Sequence, residues 1–199
     1  MTAANPEPWR RQRADAERNE ARILRATRAL LREHGAGAVE MRDVARAAGV
    51  GVGTVYRRFG DKASLLGAVL GADERRLQDA IVSGEPPLGP GAPPAERLDA
   101  FLTALAAFTE DNLDALLATA AVSSGRMEVG SYSAWRLHLA HLLSALRPDL
   151  DEADRGWYAD ALLAALDPGV YAVQRRRLGI AAERVARNLR ALARAVVGG

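Results

Sequence analysis

The sequence predicts an all-α protein. Apolar residues recur at three- and four-residue spacing over most of the chain, no segment holds a sustained period-two alternation, and glycine and proline punctuate the helical stretches. Two helical parts are expected on either side of the segment 84–94 (GEPPLGPGAPP), whose five prolines and three glycines cannot continue a helix. At 199 residues, with 49% hydrophobic and 26% charged residues, the chain can bury a core and is not disordered by composition. It has no cysteine, which excludes disulfides and thiolate metal sites. No apolar run approaches the ~18 residues of a spanning helix, and the N-terminus is polar and basic, so a soluble, cytoplasmic protein without membrane contact is expected.

Each element follows from local signals. Residues 1–14 read as a flexible basic arm carrying Arg10, Arg11 and Arg13. From about Asp15 a helix is expected with Ile23, Thr27, Leu30, Leu31 and His34 on one face, stopped by Gly35 and Gly37. A second helix starts near Glu40, buries Val44 and Ala48 and ends at Gly49; Ala45 and Ala48 permit close helix approach. A third spans about Val52 to Phe59. Asp61 reads as the N-cap of a longer helix bearing Leu65, Leu66, Val69, Leu70, Leu77 and Ile81, with residues 63–83 as a connecting helix. After a loop at 84–95, helices are expected at about 96–110, 112–122, 131–147, 152–178 and 180–197, the fourth interrupted at Asp167-Pro168-Gly169.

The stretch 43–62 (DVARAAGVGVGTVYRRFGDK) carries the most information. Two short helices about a tight glycine turn form a helix-turn-helix, the arrangement that puts a recognition helix into the DNA major groove. Charge agrees: residues 1–62 hold 13 Lys and Arg against 8 Asp and Glu, whereas residues 63–199 hold 14 against 17. A basic third beside an acidic remainder suits a polyanion at one end only. General arginine richness is the alternative, since 26 of the 27 basic residues are Arg.

Met41-Arg42-Asp43-Val44-Ala45, Ala48-Gly49-Val50, Gly53-Thr54-Val55-Tyr56, Phe59, Lys62 and Leu65-Leu66 resemble the DNA-binding domain of the tetracycline-repressor (TetR) family of transcriptional regulators over about 50 residues. Three positions depart from the family pattern. Glu40 stands where Ser or Thr usually caps the second helix, Gly51 replaces a usual Ser, and Arg58 a frequent His. The resemblance implies a helix-turn-helix domain at 15–62 followed by a helical ligand-binding and dimerisation domain at 96–199. The candidate DNA-contacting set is Arg42, Gly51, Val52, Gly53, Thr54, Tyr56, Arg57, Arg58 and Lys62. Gly51 and Gly53 let the backbone approach DNA, and Val52 and Thr54 reach base edges, Val52 meeting a thymine methyl. By resemblance Tyr56 and Arg57 hold phosphates; Lys62, with the amides at the start of its helix, suits another. The basic arm has a flanking minor groove as its possible target.

The C-terminal part resembles the ligand-binding part of TetR-type regulators more weakly, through Tyr132, Trp135, His138, Leu142-Leu143, residues 159–164 (ADALLA), Tyr171, Gln174, Gly179, Arg184 and Leu189. Phe101, Leu105, Phe108, Met127, Tyr132, Trp135, His138 and Trp157 are the candidate pocket lining for a small, mainly apolar effector. The acidic surplus there favours a neutral or cationic compound. Leu162, Leu166, Val173, Val185, Leu189 and Leu192 are the candidate homodimer surface, though residues so spaced also serve a monomer's own core. His138 and His141 lack a third metal ligand at an obvious spacing. There is no phosphate loop, His-Glu metal motif or nucleophile elbow, so neither enzyme activity nor a cofactor is expected. The reading is a ligand-released repressor that binds a palindromic operator as a homodimer; its alternative is a DNA-binding module that answers to a protein partner.

Overall fold

The computed structural model describes residues 8–120 and 130–198, and among these the chain is helical without strands. Helix α1 is Pro8–Ala38, α2 Met41–Ala48, α3 Val52–Phe59, α4 Lys62–Ser83, α5 Pro94–Ala120, α6 Gly130–Leu146, α7 Glu152–Ala164, α8 Pro168–Ala172 and α9 Ala182–Gly198. The chain divides into two units, Met1–Leu70 and Gly71–Gly199, with the boundary inside α4.

In the first unit α2 packs against both α1 and α3. Its core is Ile23, Leu24 and Leu31 of α1, Met41, Val44, Ala45 and Ala48 of α2, Val55 of α3 and Leu65, Leu66 and Val69 of α4. The turn between α2 and α3 is dictated by Gly49, which takes the left-handed conformation (φ 63°, ψ 40°) that costs a side-chain-bearing residue about 1 kcal/mol. The Val50 N–H then reaches back to the Ala45 carbonyl at 3.0 Å, closing the last turn of α2. Asp61 caps α4 as expected, its Oδ1 accepting from the Ser64 N–H at 2.7 Å. That bond holds the Asp61 carboxyl below its usual range.

In the second unit α5 packs against α6, α8 and α9, and α7 against α6 and α9. Asp167-Pro168-Gly169 does interrupt the chain, by starting a helix rather than bending one. Asp167 Oδ1 accepts from the Gly169 and Val170 N–H groups at 2.8 and 3.1 Å, and Pro168 takes the first turn, where its missing N–H costs nothing. Asp151 caps α7 in the same manner. After α8 the backbone widens into one π-turn, Val173–Arg177, fastened to α5 by a two-pronged bond from Arg175 to Glu110, both prongs 2.8 Å.

Two boundaries differ from those expected. Residues 8–14, expected within the flexible arm, are the first turns of α1. The helices expected at 96–110 and 112–122 are one helix, α5, as far as Ala120, since no glycine or proline separates them. Asn112, near the expected break, is buried and donates to the Phe108 carbonyl one turn back at 3.0 Å.

Candidate functional site

Helix α3 buries only Val55 fully. Its outer face is Val52, Gly53, Tyr56, Arg57 and Arg58, all exposed, with Thr54 half-buried beside them. Two large apolar side chains, Val52 at 39% and Tyr56 at 51% exposure, therefore stand in water on a helix of eight residues. The chain itself does not require glycine at the start of this helix. A Cβ at Gly51 would meet only Thr54 Oγ1, at an ordinary 3.9 Å, and one at Gly53 would meet nothing within 4 Å. Side chains there would protrude outward, so their absence leaves the backbone open to an approaching surface.

The cations of this face are not equivalent. Among the described residues, neither Arg42 nor Arg57 has a side-chain partner. Arg58 is ion-paired with Glu20 of α1. The half-buried Lys62 donates to the Gly37 carbonyl at 3.3 Å. Arg22 of α1 donates to the Gly49 carbonyl at 3.3 Å, tying α1 to the turn. Glu20 and Arg22 belong to the architecture of this face, and sequence reading did not find them because their partners lie 38 and 27 residues away.

In the second unit the expected lining divides. Phe101, Leu105 and Phe108 of α5 are buried. Phe101 meets His138 edge to face with ring centres 4.9 Å apart, and Phe108 meets Trp135 likewise at 5.3 Å. Tyr132, expected on the same side, turns to α7 and donates to Asp160 at 2.8 Å, beside the ion pair of Arg136 with the same carboxylate. Burial, then the Asp160 bond, push the Tyr132 hydroxyl up to about 12. Trp157 is 65% exposed and stacks edge to face on Tyr158, so it does not line an interior. Met127 lies outside the described residues.

Among the described residues, the buried Trp135 Nε1 and His138 Nε2 atoms have no hydrogen-bond partner. Burial first, then the positive charge of Arg97 and then that of His141, push His138 down to about 4. Between its ordinary 6.5 and that value the unfolded chain binds more protons than the folded one. The contribution is therefore complete above pH 6.5 and is lost as pH falls towards 4. With allowance for solvent screening of a half-buried ring, the loss is on the order of 1–2 kcal/mol. Urea unfolding of wild type and His138→Phe across this range checks it: the variant's stability should fall less steeply, and parallel curves would contradict the assignment.

The expected dimer residues also divide. Leu162, Leu166, Val185 and Leu189 are buried in the chain's own core, because the stripe Val185, Leu189 and Ala193 of α9 is turned inward. They are therefore not surface residues. Val173 and Leu192 are exposed, as are Trp157, Val170 and Leu178.

Residues 23–69, from the middle of α1 into α4, match the profile of the bacterial regulatory proteins of the tetR family. The HTH-type transcriptional repressor KstR of Rhodococcus jostii (strain RHA1) is 43% identical over 82 residues, which are 41% of this chain and 36% of that protein. The chain thus spans little more than a third of that relative's length. Over nearly the whole chain the likeness is to solved structures. A putative transcriptional regulator from Pseudomonas aeruginosa PAO1 superposes with a TM-score of 0.60 at 25% identity, covering 90% of each chain. A gamma-butyrolactone receptor (ArpA-like protein) does so with a TM-score of 0.54 at 21% identity, covering 88% of this chain and 98% of that one. The latter likeness shows the fold.

Proposed function

We propose that the chain, whose residues 23–69 match the tetR-family profile, is a TetR-family transcriptional regulator that acts as a homodimeric repressor on a palindromic operator, from which a small, mainly apolar effector releases it. The observation that carries the DNA-contact assignment is the outer face of α3. It combines exposed Val52 and Tyr56, an unpartnered Arg57 and two glycines that the protein's own packing does not call for. Val52 and Thr54 then read base edges while Tyr56 and Arg57 hold phosphates. Lys62 adds a charge at the start of α4, an end that Asp61 already caps. Arg42 at the start of α2 offers a further exposed cation. Arg58 contributes less, because Glu20 already neutralises it.

Two such helices reach successive major-groove faces when a dimer spaces them about 34–36 Å apart. Exposed apolar residues on α8, the π-turn and α9 support an interface in the second unit. Release follows if the effector binds better to the spacing that does not fit DNA; the coupling is then reciprocal, so operator DNA weakens effector binding. The receptor named among the structural neighbours supports an effector for this fold.

Genomic footprinting of the purified protein, followed by salt titrations on the recovered site, tests the assignment. Lys62→Ala and Arg57→Ala should weaken binding to all sequences and each lower the salt slope by about 1. Arg58→Ala should cost clearly less than Arg57→Ala. Thr54→Ala should change the preferred base at one position by roughly 1–3 kcal/mol. Wild-type affinity in both the Thr54 and Lys62 variants would mean that α3 is docked wrongly.

A further inference from the structure

We propose that the second unit binds an apolar compound with a carboxylate head, and that Arg97 and His138 hold that head between α5 and α6. The proposal rests on the effector reading above and names the chemistry the effector carries.

Among the described residues, two buried polar atoms lack partners in this one region: Arg97 Nε and His138 Nε2. The first can only donate, and the imidazole donates from Nε2 in one of its tautomers. Arg97 stands one turn before Phe101 on α5, and Phe101 touches His138. Phe108, two turns further on, touches Trp135, one turn before His138 on α6. The two ring contacts thus bring the facing stretches of α5 and α6 together. Arg97, one turn before Phe101, and His138, in contact with Phe101, thus stand at one end of this contact, with Leu105 and Phe108 further along α5.

Keeping an unpaired donor from water is unfavourable, more so when it is charged, so the arrangement favours a ligand that brings acceptors. The Arg97 side chain makes one hydrogen bond among the described residues, to the Ile81 carbonyl at 3.3 Å, and has no carboxylate partner there. A guanidinium prefers a charged, planar acceptor to a neutral one. The influence of Arg97 on His138 is consistent with an uncompensated positive field.

The acidic surplus of the second unit does not oppose an anion here, because several of its carboxylates are committed elsewhere. Glu110 is held by Arg175, Asp114 by Arg176, Asp160 by Arg136 and Asp99 by Arg194. The expectation of a neutral or cationic compound from net charge is therefore replaced by one based on the local donors. Phe101, Leu105 and Phe108 supply the wall for the apolar body.

Calorimetric titration of the full chain with decanoate, decanol and decylamine tests the head group. Decanoate should bind at least about tenfold more tightly than decanol, the margin of a charge-assisted pair, and decylamine should bind most weakly. Arg97→Met should bring decanoate down to the level of decanol and leave decanol unchanged, while Arg97→Lys keeps part of the preference. Circular dichroism of each variant establishes that it has folded. Equal affinity for the three compounds, no binding of any of them, or a full carboxylate preference in folded Arg97→Met would overturn the proposal. Operator release, followed in the same samples, separates it from the reading it rests on. Decanoate that binds with the stated preference but leaves DNA bound supports the head-group site and removes its effector role. Release by decanol or decylamine without a carboxylate preference keeps the regulator and overturns the head-group site.

Discussion

A Val173→Glu/Leu192→Glu protein will sediment as a monomer, and its affinity for a palindromic operator will drop by roughly 10²–10⁴-fold, the usual gain from linking two binding modules. Both side chains are about half exposed, at 45% and 48%, so new charges there meet water in the isolated chain and should change its stability by only about 0.5 kcal/mol. In a dimer the same charges would be shut away from water without partners. Around Leu192 on α9 stand exposed Asn188, Ala191 and Ala195, side chains short enough for a second helix to come close. Leu189→Glu is the instructive control. Leu189 is 3% exposed, so a charge there enters the chain's own core, and the variant should lose helical circular dichroism along with DNA binding. An unchanged dimer of the double variant, with operator affinity intact, would move the interface to another surface.

That contrast shows where the sequence was legible. A helical stripe states that residues face something apolar, and spacing cannot distinguish a neighbouring helix from a second subunit. Leu162, Leu166, Val185 and Leu189 share their periodicity with Val173 and Leu192, yet the first four are buried within one chain and the last two are not. The helix-turn-helix was readable because its determinants are local: Gly49 in the left-handed region and Asp61 over the Ser64 amide are each settled within a few residues, and so is the start of α8 at Asp167 and Pro168. Pairings across the chain left no such mark. Arg58 with Glu20, Tyr132 with Asp160 and Arg175 with Glu110 join residues 38, 28 and 65 positions apart, and no period selects one carboxylate over another. The α6 face was misread for this reason. Tyr132, Trp135 and His138 follow each other at three-residue spacing, but Asp160 draws Tyr132 to α7 while the α5 rings take the other two.

Phe101→Ala should destabilise the second unit by about 3–5 kcal/mol, the range for removing a buried aromatic ring from a packed core. Phe101 is fully buried, and the loss combines its burial energy with the void left beside His138. Trp157→Ala, made in the monomeric Val173→Glu/Leu192→Glu background, should move stability by only about 0.5 kcal/mol, because that ring is already largely in water. From sequence the two aromatics carry the same expectation, both as pocket lining, so the pair separates composition from position. Urea unfolding followed by circular dichroism measures both. A cost for Phe101→Ala below about 1 kcal/mol would mean that α5 and α6 collapse freely into the space. Rings that yield so easily would not hold Arg97 and His138 in a fixed arrangement, and the site between these helices would then have to form around its ligand instead of awaiting it.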